Sequence, residues 1–193
     1  MALVRTFIAI PLPYELKQEL ASAVEQGRKA VPVARWVSEN NWHITVIPPQ
    51  QWDEEEIPGI IQGIQENLRI DNFLVRTKNI ILGPDEKAPR MIWLSCQASK
   101  ELDALKEQIV LATNAMGVNI DMGQNKIMGQ NKIKEDKIHI TLARFNAVFK
   151  NRIAWQPKEF SHEIPVHTLE VLQSELKPSG AVYTRLGEIE LSE

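Results

Sequence analysis

Apolar and polar residues alternate in two similar stretches of the chain. Asn-Trp-His-Ile-Thr-Val at 41–46 and Lys-Ile-His-Ile-Thr-Leu at 137–142 share the core His-Ile-Thr. In a β-strand, successive side chains point to opposite faces, so residues two apart share a face. Each stretch therefore predicts a strand with an apolar back and a His/Thr front. The front of the first strand carries His43 and Thr45, and that of the second carries His139 and Thr141.

The remaining pattern predicts about eight strands and three helices. Acidic residues at 53–56 favour the first turn of the second helix, and Gly117 is expected to end the third. Pro48 and Pro49 are expected to end the first His-Ile-Thr strand, because proline cannot donate a hydrogen bond to a ladder. Helices are predicted over 14–30, from 53 to 68 and over 99–116, and further strands over 3–10, 33–37, 73–82, 90–97, 166–176 and 182–191.

A short duplication precedes the second His-Ile-Thr strand. Gly-Gln-Asn-Lys-Ile occurs at 123–127 and again at 129–133. We favour a duplication within a surface loop, since loops tolerate insertions. The alternative is a mobile basic loop that contacts a polyanion through its lysines, which are Lys126, Lys132, Lys134 and Lys137.

Composition limits the class of protein. A length of 193 residues suits one domain or two closely packed lobes. The net charge of -3 argues against a broad basic surface that coats nucleic acid, but not against an enzyme that binds one phosphate. The single cysteine, Cys96, excludes an intramolecular disulfide and is expected to be a buried, inert thiol. No membrane-length apolar run or signal-peptide pattern is present, so we expect a cytoplasmic protein without a membrane anchor.

Two His-x-Thr fronts that met across a groove would supply the groups needed to cleave a phosphodiester. This reaction needs a base, an acid on the opposite side, and donors to the non-bridging oxygens. Histidine titrates near neutrality and threonine can donate a hydrogen bond. A zinc site is the chemical alternative, although no His-x-His, His-Glu-x-x-His or paired-cysteine spacing is present. Its ligands would be His43, His139 and either His162 or His167, with a carboxylate.

These motifs resemble the signature of the two-histidine phosphoesterase superfamily. They are most similar to its RNA 2′,3′-cyclic phosphodiesterase branch, first named 2′-5′ RNA ligases. The segments at 5–13, 35–37 and 176–183 resemble that branch as well, as does Arg144 after the second motif, so the similarity covers nearly the whole chain. The chain departs from the family pattern in Ile-Pro-Pro at 47–49 and in Ile138.

The resemblance implies an α+β fold in a single bilobal domain over 1–193. Two mainly antiparallel sheets with outer helices would be related by a pseudo-two-fold axis, with the active groove between them. It also implies metal-independent hydrolysis of RNA 2′,3′-cyclic phosphate ends to 2′-phosphomonoesters, without a cofactor. By this resemblance His139 is the base that activates water, and His43 is the acid that protonates the 3′ oxygen. Thr45 and Thr141 would hold the phosphoryl oxygens, and Arg144 would bind phosphate.

Three alternatives stay open from the sequence. The protein could bind RNA or nucleotide ends without turnover, or join RNA ends through a 2′-5′ linkage, which is the reverse chemistry at the same site. The acid and base roles could also be exchanged between the two histidines. We expect a monomer whose substrates are RNA ends or small cyclic nucleotides.

Overall fold

The computed structural model describes residues 2–122, 138–145, 157–178 and 180–192. The duplicated Gly-Gln-Asn-Lys-Ile segment and its four lysines lie outside the described residues. The described chain forms three α-helices, ten strands and a short 3-10 helix at Glu39–Asn41. In chain order the elements are β1 (Leu3–Pro11), α1 (Tyr14–Ala30), β2 (Arg35–Trp36), β3 (His43–Asp53), α2 (Ile57–Asn67), β4 (Phe73–Gly83), β5 (Met91–Cys96), α3 (Lys100–Ala115), β6 (His139–Arg144), β7 (Lys158–Glu159), β8 (Glu163–Val166), β9 (Thr168–Lys177) and β10 (Gly180–Glu190).

The strands form one large antiparallel sheet, in the order β10-β9-β1-β3-β6-β5-β4-β7. β2 pairs with β6, and β8 pairs with β4. The predicted α+β class, with three helices and antiparallel strands, is confirmed. The path through the described strands is continuous instead of split into two sheets, because Ile44 of β3 pairs with Ile140 of β6 at its centre. The two-lobed arrangement and the single domain over 1–193 stay predictions.

A row of apolar side chains crosses the centre of the sheet. Ile10 pairs with Ile44, Ile44 with Ile140, and Ile140 with Leu94. None of the four is more than 1% exposed. They belong to a core cluster that includes buried residues of all three helices, so the helices cover this back face of the sheet. Full burial of each such side chain stabilises the folded state by about 1.5–3 kcal/mol. This face of the sheet is therefore the back, and the opposite face is the front.

Local signals account for the third helix. The side chain of Ser99 caps α3 by accepting a hydrogen bond from the N–H of Leu102. Leu102, Leu105 and Ile109 form its buried stripe, as their spacing predicted. Gly117 has a φ of 80°, in the left-handed region that favours glycine, and follows the end of the helix as expected.

Two predicted boundaries are wrong. β3 continues through Pro48 and Pro49 to Asp53. The prolines fall where the pairing of β3 with β1 shifts register, so neither must donate to the ladder. The acidic run precedes α2, which begins at Ile57, because the Asp53 carboxylate accepts a hydrogen bond from the N–H of Glu55 and forms a turn.

The other predicted elements agree with the structure apart from a few residues at their ends. β7 and all of β8 except Val166 lie where the pattern predicted no element. Within the described ranges, no helix has the length and apolar character needed to cross a membrane.

Candidate active site

The two His-Ile-Thr motifs are neighbours in the sheet. Their central residues, Ile44 and Ile140, are direct partners across the antiparallel pair of β3 and β6. Because side chains alternate along both strands, the residues that flank this pair all point to the opposite, front face. The antiparallel register brings the histidine of each motif toward the threonine of the other. The two fronts that the sequence predicted separately therefore meet.

A groove of about 810 Å³ opens on this front face. Its walls also include residues from β1, β2, β9, β10 and the last turn of α1. The groove brings together every site residue predicted from the sequence: His43, Thr45, His139, Thr141 and Arg144.

A β-bulge follows each His-Ile-Thr motif. In β6 the register with β5 slips by one residue just after Thr141, at Leu142. β3 shows the same slip against β1 after Thr45. An extra residue reverses the alternation of side chains beyond it. A regular strand would point Arg144 to the apolar back, whereas the bulge turns it to the front, where it lines the groove.

His43 is held through both ring nitrogens. Nδ1 lies 2.7 Å from the backbone oxygen of Asn41, which can only accept, so Nδ1 carries the proton. Nε2 lies 3.1 Å from Oγ1 of Thr45, which donates to the neutral ring. The pKa of His43 is lowered to about 4, and burial is the largest cause. The hydrogen bond to Asn41 raises this pKa, whereas the nearby charges of Arg144 and His139 lower it further. The ring of the free protein is therefore neutral at pH 7.

The supports of His43 include residues that sequence reasoning missed. Asn41 was not among the predicted site residues, but its side-chain Nδ2 donates to the backbone oxygen of Ala181 at 2.7 Å and ties the segment before β3 to β10. The rings of Phe7 and Tyr183 pack beside the imidazole, with centroids 5.0 Å and 5.4 Å from that of His43. No local pattern signals these contacts, because the partners come from distant strands.

His139 has a different support. The indole of Trp93 stacks on its imidazole, with centroids 3.9 Å apart and planes inclined by 21°. Trp93 is 4% exposed, and its Nε1 donates to Sδ of Met91 at 3.3 Å. A Cβ atom on Gly83 would lie 2.5 Å from the indole, so this glycine leaves the space that the ring occupies. The pattern predicted Trp93 only as an apolar strand residue.

The groove is cationic although the protein is not. Among the described residues, five basic side chains and no carboxylate line it, while the whole chain has a net charge of -3. Such segregation favours an anionic ligand, because a cleft lined by one sign of charge concentrates the opposite sign. The basic residues are Arg5, Arg28, Arg35, Arg144 and Lys177.

The residues of the zinc alternative are not brought together. His162 contacts Glu19, with Nε2 and Oε2 3.4 Å apart, and neither His162 nor His167 is among the groove residues. In the part of the chain that the structure describes, no group of three or more His, Cys, Asp or Glu residues could hold a metal ion. Cys96 is half-buried instead of fully buried as predicted, and burial raises the pKa of its thiol to about 12, as expected of an inert thiol.

Comparisons with known proteins agree with this geometry. A family model described as LigT like Phosphoesterase matches residues 10–93. A Thermus thermophilus protein named RNA 2′,3′-cyclic phosphodiesterase is 30% identical over 190 residues, which cover 97% of this chain and 90% of the relative. The chain belongs to the LigT-like phosphoesterase family.

Two other comparisons cover nearly the whole chain. A Thermotoga maritima protein, also named RNA 2′,3′-cyclic phosphodiesterase, is 25% identical, over 95% of this chain and 94% of the relative. The crystal structure of TT0787 of Thermus thermophilus matches with a TM-score of 0.76 and 27% identity, over 96% of this chain and 97% of that one. The resemblance inferred from the two motifs is confirmed.

Proposed function

We propose that this protein is a metal-independent phosphodiesterase that opens RNA 2′,3′-cyclic phosphate ends to 2′-phosphomonoesters. The observation that carries the proposal is the pairing of Ile44 with Ile140, since it turns both His/Thr fronts into one cationic groove. The names of the Thermus and Thermotoga relatives support the same substrate class.

In the proposed reaction His139 is the general base. It removes a proton from water as the water oxygen attacks phosphorus. The stacked indole of Trp93 restricts the rotation of the His139 imidazole. It therefore holds the imidazole in the orientation in which it accepts the proton of the attacking water. The bond from phosphorus to the 3′ oxygen breaks, and the 3′ oxygen leaves with the bonding electrons.

His43 is the general acid that protonates the departing 3′ oxygen. In the free protein its Nε2 holds a lone pair, so it must gain a proton before or as the substrate binds. The phosphate anion favours that proton, because an adjacent opposite charge raises the pKa of an imidazole. It also offsets the charge of Arg144, which lowers the pKa of His43 in the free protein.

The remaining groups stabilise the charge on phosphorus. Hydroxyls of Thr45 and Thr141 donate to the non-bridging oxygens, and Arg144 offers a planar pair of donors. Base, acid and charge stabilisation are then supplied by side chains alone, so the proposed reaction requires no Lewis acid.

The test is hydrolysis of an oligonucleotide with a 2′,3′-cyclic phosphate end in the presence of EDTA. We expect a 2′-phosphate product, and a loss of about 10²–10⁴-fold in kcat in His43→Ala and in His139→Ala. His167→Ala, an exposed histidine outside the groove, is the matched control and should retain activity. Activity that disappears with EDTA and returns with zinc would contradict metal independence. Binding without product, or only 2′-5′ joined product, would contradict hydrolysis.

A further inference from the structure

We propose that Arg28 and Arg35 form a second phosphate subsite, which binds the 5′-phosphate of the nucleotide whose 2′,3′-cyclic phosphate is opened. The inference rests on the proposed function, because it defines the substrate of the same groove. That substrate is an RNA end or a 5′-phosphorylated nucleotide, in preference to a nucleoside cyclic phosphate with no other phosphate.

Two arginines face each other across neighbouring strands at one end of the groove. Arg35 of β2 is the direct partner of Arg144 of β6, and both line the groove. Like charges directly opposite in a sheet are destabilising. Among the described residues, neither guanidinium forms an ion pair with a carboxylate. An anion bound between the two guanidinium groups would attract both and so offset their mutual repulsion.

Arg28 adds a third guanidinium to this end. Its Nε is buried and has no hydrogen-bond partner among the described residues, although the residue lines the groove. A buried charged donor without a partner is costly. The hydrogen bond from Trp36 Nε1 to the backbone oxygen of Val31, 3.3 Å long, ties β2 to the end of α1, the two elements that carry Arg35 and Arg28. The helix C-terminus favours a cation there, but it does not satisfy Nε.

The position of this pair differs from that of the reacting phosphate. Arg144 and Thr141 pair with residues two apart on β5, so their backbones are about 6.8 Å apart along the strand. Arg35 lies directly beside Arg144, on the edge of β6 that β3 also occupies, so both arginines are displaced along the strands from the His-Ile-Thr pairs by a similar distance. We assign Arg144, which follows the second motif, to the cyclic phosphate, and Arg28 and Arg35 to a second phosphate on this side of the groove.

The other two basic residues of the groove already have partners. Nη1 of Arg5 donates to Oγ of Ser174 at 2.7 Å, and Nζ of Lys177 lies 3.2 Å from a carboxylate oxygen of Glu175. A cyclic phosphate carries one negative charge, which Arg144 matches. The charge of Arg28 and Arg35 exceeds what that phosphate needs, which favours a substrate with another phosphate on this side.

Kinetics with three substrates tests the subsite. They are adenosine 2′,3′-cyclic phosphate, its 5′-phosphorylated form, and the dinucleotide ApA with a 2′,3′-cyclic phosphate end. We expect kcat/KM to be higher by about tenfold or more for the second and third, as a charge-assisted hydrogen bond contributes that much. The double variant Arg28→Gln/Arg35→Gln should lose this preference, so that its kcat/KM becomes similar for the three substrates. Thermal unfolding like that of the parent protein shows that the variant folds.

A matched double variant controls for the loss of charge. Arg76 and Arg185 are exposed, ion-paired and outside the groove, so Arg76→Gln/Arg185→Gln should keep the preference. Preference for the dinucleotide alone would identify the phosphate of an RNA backbone, and preference for both would identify phosphate in either form. A parent protein with no preference, or a preference that survives in Arg28→Gln/Arg35→Gln, would overturn the proposal.

Binding separates the subsite from catalysis. Calorimetry should show that adenosine 2′,5′-bisphosphate binds more tightly than adenosine 2′-monophosphate, with a steeper dependence on salt concentration, because salt screens the additional charge interaction. Arg28→Gln/Arg35→Gln should remove both differences. If they occur in the parent protein while no cyclic phosphate is hydrolysed, the subsite stands and the proposed function fails. Equal binding of the two ligands by the parent would overturn the subsite.

Discussion

The indole of Trp93 lies 3.9 Å from the imidazole of His139, in a stacked arrangement. Stacked aromatic pairs contribute about 0.5–1.5 kcal/mol beyond their burial, equivalent to about two- to twelvefold in rate if the contact orients the reacting ring. Trp93→Leu, which removes the aromatic face, should therefore lower kcat by up to about tenfold with little change in KM. Trp93→Phe keeps an aromatic ring and should retain most of the parental kcat. Equal kcat in the two variants would contradict a positioning role for Trp93.

Gly83→Ala tests the same contact through another neighbour of the indole. The added Cβ would lie 2.5 Å from the Trp93 ring, so the ring must shift and its stack on His139 is disturbed. We expect a loss of about 1–3 kcal/mol of unfolding free energy, typical of overpacking, together with a lower kcat. Gly59→Ala is the matched control, since its Cβ would meet nothing within 4 Å and it lies in α2. Thermal unfolding and kcat should be unaffected or slightly improved in the control, and similar losses in both variants would exclude a specific clash.

The pKa of His43 gives a prediction for stability against pH. The pKa of His43 in the folded state, about 4, is below the ordinary histidine value of 6.5, so the folded state prefers the neutral ring. The folded protein then binds fewer protons than the unfolded chain between these values, and its stability must fall as pH drops from about 6.5 to about 4. Denaturant unfolding of the parent protein and of His43→Gln should show a shallower dependence in the variant over this window. Parallel curves would contradict the lowered pKa.

A bound phosphate should reverse that shift. If His43 is the acid, adenosine 2′-monophosphate should raise its pKa, because the phosphate charge favours the imidazolium. NMR titration of the His43 ring with and without the ligand measures the change directly. A ring that stays neutral at pH 6 in the complex would indicate that the acid and base roles are exchanged between His43 and His139.

Alternation along a strand predicted which side chains share a face, but not where the faces meet. The pairing of Ile44 with Ile140 joins strands 96 positions apart in the chain (140 minus 44). Only the family resemblance predicted that meeting, because no local pattern specifies a pairing between distant strands. The stack of Trp93 on His139 was missed for the same reason, as it follows from the register of β5 with β6.

Arg144 shows how one extra residue in a strand changes the face predicted for the side chains that follow it. The bulge at Leu142 turns it to the groove, although strict alternation from Thr141 would turn it to the core. The prolines at 48 and 49 mislead for a related reason: the pattern predicts a strand end, but a register shift accommodates both. Bulges depend on the pairing partner and leave little trace in the residues themselves.

The central claim is that His43 and His139 act on one phosphate as a pair, and a double-mutant comparison tests it most directly. Hydrolysis of a 2′,3′-cyclic phosphate end in EDTA would be measured for the parent protein, for His43→Ala, for His139→Ala and for the combined variant. Residues that act as one unit are strongly non-additive, so the combined variant should lose about as much kcat as either single variant. Losses that multiply, or either single variant with parental kcat, would contradict the account.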